Sequence, residues 1–415
     1  NSSGINNTLN NSSYTCDLSS FHSHYSHIHG WVSLFICIFG SIANILNILV
    51  LTRQEMRSPT NTILTGLAFA DLLVMIDYIP YSIHLYLYRR SRRDTFTYGW
   101  AIFVLFHSNF AQVCHTISIC LTLILAVWRY VAVAKPQRNR EWCNYKRTIL
   151  AILMAYVFCP VLCVPLYITT EVKEQVEVLD SRGMSLALQN GSSIGEYYFL
   201  LFLSKLHIVL KKLNSSTIDA KNTTLYFVRL TETAQNHHIL NELNFWIYSV
   251  VIKLFPCFIL TILSVKLLQV LLEAKKRRRK LTTIHEENLE RKRSSRRVEK
   301  EKRTDRTTMM LLAVLLLFLV TELPQGALGL LSVLLGPGFF RTCYLMLGDA
   351  IDMLTLMNSG INFILYCTMS RQFRKTFDEL FCKSWRIPKT TRKRTLMENN
   401  GNTGTNQTVT QVTQL

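Results

Sequence analysis

Apolar positions in this chain gather into long blocks separated by polar stretches. Seven blocks can be drawn, roughly Gly30–Leu51, Ile63–Tyr86, Ala101–Val133, Thr148–Ile168, Phe245–Leu272, Thr307–Leu334 and Thr342–Thr368. About 20 apolar residues of helix cross a bilayer core, so each block is long enough to span one. Each also holds a few polar side chains, the pattern of helices packed around a polar interior rather than of lone anchors. No internal repeat accompanies them, which weakens an inverted-repeat transporter. The expected fold is an all-α membrane protein, a seven-transmembrane helix bundle over residues 30–369. After the last span, Phe373, Phe377, Leu380 and Phe381 fall on one face of a helical segment while Arg371, Arg374 and Lys375 fall on the other. This predicts a short amphipathic helix on the membrane surface over 370–382. Residues 1–29 then form an N-terminal segment and 383–415 a disordered tail.

Composition agrees. Of 415 residues 49% are hydrophobic and only 18% charged, too apolar for an ordinary soluble enzyme of this length. The net charge of +19 is confined to the gaps between blocks, where it reports topology rather than a groove for nucleic acid. Most of the eleven cysteines fall inside apolar blocks, where Cys behaves as a small hydrophobe. The chain opens without an initiator Met or a signal-peptide pattern, so Asn1 is expected to follow a processing site or an artificial boundary.

Two independent signals orient the bundle. Lys275–Arg306 carries fifteen Lys and Arg, and the tail after the seventh span is basic as well, which makes both cytoplasmic. Glycosylation acceptors occur at Asn1, Asn6, Asn10, Asn11, Asn190, Asn214 and Asn222, in the N-terminus or the 4–5 loop, as expected of outward segments. Asn406 carries a further acceptor but falls inside. The predicted location is the plasma membrane, multi-pass, with an extracellular N-terminus. Against the trend, Arg89, Arg90, Arg92 and Arg93 lie in the outer 2–3 loop, either as a surface for an acidic partner or as a solvated loop.

Ionisable groups at membrane depth are costly and default to function. Asp71 lies in the second span, Asn44 in the first and Ser118 in the third, while the seventh reads Asn358-Ser359-Gly360-Ile361-Asn362-Phe363-Ile364-Leu365-Tyr366. With Trp128-Arg129-Tyr130 closing span three, Pro256 in span five and Pro324 in span six, the chain resembles the rhodopsin-like class of G-protein-coupled receptors from about Gly30 to Cys382. The resemblance implies that Asp71, Ser118, Asn358, Ser359 and Asn362 line a sodium pocket. Oxygen ligands with one carboxylate suit that hard cation, although the same groups could serve as interhelical hydrogen-bonding glue. It also assigns Arg129, Tyr130, Pro324 and Tyr366 to activation and coupling to a heterotrimeric G protein. Departures are visible too. Trp128 replaces the acid before the arginine, Phe363 replaces a proline, and Glu322 stands where the class usually has a tryptophan. The usual outer disulfide is missing at both ends, at Val104 and throughout the 4–5 loop. Cys16 and Cys343 are the only outward cysteines, and a bridge between them is expected in an oxidising exterior, two free thiols being the alternative.

Missing chemistry excludes several ligands. No lysine lies in span seven for a retinal Schiff base, and Ala111 occupies the position of the aminergic aspartate. Neither zinc ligands nor a nucleophile–base set is evident, so no enzyme and no cofactor beyond sodium are expected. The outer half is acidic and aromatic, with Asp77, Tyr78, Tyr81, Tyr86, Glu322, Asp349 and Asp352, which suits a cationic ligand. Met56-Arg57-Ser58-Pro59-Thr60-Asn61, Asp71-Leu72-Leu73-Val74-Met75 through Tyr78-Ile79-Pro80, and Phe106-His107-Ser108 through Arg129-Tyr130 look like invertebrate myosuppressin and FMRFamide-type receptors, whose peptides end in Arg-Phe-amide. That likeness implies Asp77, Glu322 or Asp352 as the arginine's partner, with Tyr78 and Tyr81 around the phenylalanine. A receptor for another peptide class and a membrane transporter are the alternatives.

The long 4–5 loop contains Phe199-Leu200-Leu201-Phe202-Leu203, which could fold as a short helix over the pocket or belong to a disordered insertion. Inside, Lys275–Arg306 is expected to contact G protein and anionic lipid, and Cys382 is a palmitoylation candidate. Serines and threonines of the tail are candidate phosphosites for arrestin-type partners, and Thr413-Gln414-Leu415 fits a PDZ-domain ligand.

Overall fold

The structure, a computed structural model, describes residues 16–88, 91–180, 182–183, 185, 221–236, 243–244, 246–285, 312–313 and 316–382. Among the described residues seven helices are long and apolar enough to cross a membrane: α1 (Ser19–Leu51), α2 (Pro59–Leu87), α3 (Tyr98–Ala134), α4 (Tyr145–Thr169), α5 (Ile247–Val270), α6 (Leu316–Leu335) and α7 (Phe340–Thr368). The chain is therefore a multi-pass membrane protein built as a helical bundle. A short α8 (Arg371–Phe377) follows, and a wider helical turn continues through Asp378–Cys382.

Local chemistry sets several of these boundaries. The Ser58 side chain accepts from the Asn61 backbone N–H ahead of Pro59, and Asn144 accepts from the Arg147 N–H at the start of α4, satisfying donors that a helix leaves unpaired at its first turn. Between α7 and α8, Ser370 caps the new helix through the Phe373 N–H. Arg374 meanwhile donates to the Cys367 and Thr368 carbonyls at 2.7 and 2.8 Å, closing the end of α7.

Small residues let helices approach. At Gly40 in α1 a Cβ would lie 2.7 Å from Met75 and 3.5 Å from the Gly360 Cα, and at Gly329 in α6 it would lie 2.2 Å from the Ser249 hydroxyl of α5. Such contacts take the place of a hydrophobic driving force within lipid. Around them, Leu64, Leu67, Ile117, Leu121 and Leu125 pack with Tyr366 and Phe373 towards the α8 face of the bundle.

Two findings differ from the pattern reading. Helix α1 begins at Ser19, well before the apolar block starts at Gly30. Its first turns are rich in Ser, His and Tyr, and contacts hold them: Tyr25, His29 and Tyr86 meet in series as tilted rings with centroids 5.6 and 4.6 Å apart. The 4–5 loop is not all helix or coil either. Thr170–Leu179 (β1) pairs antiparallel with Lys221–Leu230 (β2), Thr170 opposite Leu230 and Leu179 opposite Lys221. Gln175, Glu177 and Leu179 face inward while Val176 and Val178 face out, so the apolar alternation points away from the bundle and hides the strand from a hydropathy reading. The Phe199–Leu203 segment lies outside the described residues.

Candidate functional site

At the hairpin face, most of the outer acids already have partners. Asp77 on α2 is met at 2.6 Å by the Nδ1 of His107 on α3, whose ring stacks on Tyr81 with centroids 4.1 Å apart. Tyr86 donates to Asp349 at 2.7 Å, and Tyr78 shares a 3.0 Å hydrogen bond with Nε2 of His29. Glu322 is fully buried. The Lys253 Nζ of α5 donates to it at 2.6 Å, and the His115 Nε2 of α3 lies 3.0 Å away. Lys253 donates as well to the Gln325 Oε1 at 2.9 Å, and the Gln325 amide reaches the Tyr248 hydroxyl. Glu322 is thus committed to an internal lysine.

Asp352 on α7 differs. Its side chain is half-buried, and among the described residues no hydrogen bond or ion pair reaches its carboxylate. Six tyrosines lie within electrostatic range of it: Tyr25, Tyr78, Tyr81, Tyr86, Tyr248 and Tyr344. Its charged neighbours are Asp349, His107 and Lys253. A carboxylate without a partner, with tyrosines in its electrostatic range, can take a cation by ion pairing.

Deeper in the bundle the structure brings Asp71, Ser118 and Asn362 together. Ser118 donates to Asp71 at 2.9 Å and Asn362 at 3.2 Å. The Ser359 hydroxyl is buried beside the same carboxylate, with no well-formed hydrogen bond among the described residues, while its carbonyl accepts from Asn44 at 3.0 Å. Asn358 is buried next to it in sequence, with no hydrogen bond from its side chain among the described residues.

At the opposite face, Arg129 and Tyr130 at the foot of α3 are half-buried, and among the described residues the buried Arg129 Nε has no partner. Trp128 does not turn towards the arginine; its indole N–H donates to the Thr148 hydroxyl of α4 at 3.0 Å. Tyr366 is buried and tilted against Phe373 of α8, centroids 5.8 Å apart. Pro324 is exposed on α6, and Cys382 is exposed at the end of the wider turn that follows α8.

Two ties hold the hairpin face. Cys16 and Cys343 are joined in a disulfide, Cα atoms 5.3 Å apart, which fastens the start of the described chain to α7. Arg92, in the 2–3 loop, grips Glu177 of β1 with both Nε and Nη2, at 2.7 and 2.9 Å. The Phe96 and Phe227 rings lie 5.0 and 5.6 Å from its guanidinium. Backbone bonds from Tyr226 to Phe96 and from Arg92 to Gly183, both 3.0 Å, complete this contact. Arg92 therefore serves within the fold rather than as part of a free basic surface, while Arg89 and Arg90 lie outside the described residues. Of the glycosylation acceptors, Asn222 is exposed on β2. Asn1, Asn6, Asn10, Asn11, Asn190 and Asn214 lie outside the described residues, as do the tail phosphosites, the C-terminal Thr413-Gln414-Leu415 and most of Lys275–Arg306.

Pattern reading missed Lys253, His107 and His115. The signal was present, since Lys253 interrupts the run Val250-Val251-Ile252-Lys253-Leu254-Phe255, and a charge at membrane depth needs a partner.

Seven membrane helices around a buried carboxylate, with an arginine at the foot of α3 and a surface helix after α7, define a G-protein-coupled receptor. The chain belongs to the family described as serpentine type 7TM GPCR chemoreceptor Srw, which it matches over residues 31–184 and 193–384. It is similar to the G-protein coupled receptor dmsr-1 of Caenorhabditis elegans, at 28% identity covering 87% of this chain and 69% of that protein. It is similar also to the Sex peptide receptor of Drosophila melanogaster, at 26% identity covering 85% and 72%. A shorter match, 29% identical over 29% of this chain and 22% of the other, is to the FMRFamide receptor of Drosophila melanogaster.

Proposed function

We propose that this protein is a plasma-membrane receptor for an extracellular neuropeptide ending in Arg-Phe-amide, of the myosuppressin or FMRFamide type, and that it activates a heterotrimeric G protein. The observation that carries the ligand assignment is Asp352, whose carboxylate no hydrogen bond or ion pair reaches among the described residues. The other acids nearby are already bonded to Lys253, His115, His107 or Tyr86, so Asp352 is the acid free to hold an arginine bidentately. Tyr78 and Tyr81 then offer ring faces and edges to the phenylalanine. Similarity to a Sex peptide receptor and an FMRFamide receptor supports a peptide ligand. A peptide that does not end in Arg-Phe-amide is the second reading, favoured by the longer Sex peptide receptor match.

In this reading the hairpin face is extracellular and α8 lies against the inner leaflet. Bound peptide shifts a population in which α6 swings outward about Pro324, opening a cleft beside Arg129, Tyr130 and Tyr366 for the G protein. The Asp71 cluster fits a sodium ion in its oxygen donors: one carboxylate, the Ser118 hydroxyl, and a Ser359 hydroxyl whose lone pairs are unused. Sodium there would favour the resting arrangement of α2, α3 and α7. A panel of amidated peptides, with and without the penultimate arginine, tested in cells carrying a promiscuous G protein, decides the ligand. Nanomolar responses restricted to Arg-Phe-amide peptides are expected. Equal potency of the Arg→Ala peptide removes the assignment.

A further inference from the structure

Lys253 and Glu322 have no exposed side-chain surface, and His115 has 6%. A buried ion pair seldom stabilises a protein more than well-packed apolar residues would, because both ions must be stripped of water. Stability alone therefore gives little reason for this one. What it does is join three helices at one point, α3 through His115, α5 through Lys253 and α6 through Glu322. The joint sits at the proposed hinge. Glu322 lies two residues before Pro324, on the half of α6 that would swing, so a movement of that half away from α5 would draw its carboxylate off the Lys253 ammonium, 2.6 Å away here. Gly329 against Ser249 brings α5 and α6 into close contact on the other side of the hinge, so the fixed half of α6 stays packed while the moving half is held by charge. Among the described residues the foot of α3 shows no comparable restraint: Trp128 turns to Thr148, and no partner reaches the Arg129 Nε.

We propose that Lys253, Glu322 and His115 form an ionic clasp buried in the membrane that holds the receptor in its resting state, and that signalling requires this clasp to open. The proposal rests on the α6 swing but on no particular ligand. Failure of the peptide assignment would leave it standing, and the reverse holds too.

The test is agonist-free nucleotide exchange on a G protein, measured in membranes of full-length receptor and normalised to receptor at the cell surface. Glu322→Gln keeps the shape and removes the charge, and it is expected to raise basal exchange per receptor at least about five-fold. A merely structural role would lower the surface amount without raising exchange per receptor. Should Glu322→Gln strand the Lys253 ammonium and fail to reach the surface, the double variant Lys253→Met/Glu322→Met removes both charges and decides the matter, with the same rise expected. Basal exchange at the wild-type level in whichever of these variants reaches the surface would overturn the clasp.

Discussion

Replacing Asp352 with asparagine removes a charge without stranding a partner, because no hydrogen bond or ion pair reaches that carboxylate among the described residues. This separates it from Asp77 and Glu322, whose loss would leave His107 or Lys253 uncompensated. The expected effect is therefore on ligand rather than on folding. A guanidinium about 4 Å from a carboxylate at an effective dielectric of about 20 gains roughly 4 kcal/mol before either group is desolvated. Charged hydrogen bonds net about 1.5–3 kcal/mol after that cost, and each 1.4 kcal/mol is about ten-fold. Asp352→Asn should accordingly weaken an Arg-Phe-amide peptide by roughly 10- to 150-fold while leaving surface expression unchanged. The assay is a double-mutant cycle by competition binding, pairing wild type and Asp352→Asn with the native peptide and its Arg→Ala analogue. If arginine and aspartate meet, the variant should bind both peptides with nearly equal affinity, and the coupling should come to about 1.5–3 kcal/mol. Strictly additive losses would refute the pairing.

Other expectations follow from the same geometry. Cys16→Ser, Cys343→Ser and the double variant should lower the thermal midpoint of purified receptor by the same amount, because they remove one bond; unequal effects, or no cross-linked peptide on nonreducing mapping, would contradict the pairing. Arg92→Ala and Glu177→Gln should each weaken peptide binding, with a coupling of about 1 kcal/mol between them in a cycle, since the bidentate grip is partly sheltered at 27% and 13% side-chain exposure; independent effects would show that the hairpin is held by its aromatic contacts alone. Sodium should lower agonist affinity in wild type and have no effect in Asp71→Asn, as read by agonist binding across a sodium titration. Unchanged sodium sensitivity in that variant would exclude a cation at Asp71.

Much of this architecture was legible because bilayer length and helix pitch leave few choices to a chain with seven apolar blocks. Where contact rather than hydropathy decides, sequence said less. The polar start of α1 packs through the tilted rings of Tyr25, His29 and Tyr86, and β1 exposes Val176 and Val178, so neither carries an inward apolar signature. The membrane-depth acids were recognisable from their cost, yet their partners were not: which of Asp77, Glu322 and Asp352 remains free depends on the placement of His107, Lys253 and His115 across three helices. The resemblance to rhodopsin-like receptors pointed to the Asp71 cluster, and the structure brings Ser118 and Asn362 onto that carboxylate. The Arg92–Glu177 grip was not legible, since its halves lie 85 positions apart.

The most direct test is nucleotide exchange by a purified G protein with full-length receptor in lipid nanodiscs. An amidated peptide ending in Arg-Phe should accelerate exchange, and the same peptide as free acid or with Arg→Ala should act only at far higher concentration. Equal acceleration by all three forms, or none by any amidated peptide that binds the receptor, would contradict the account.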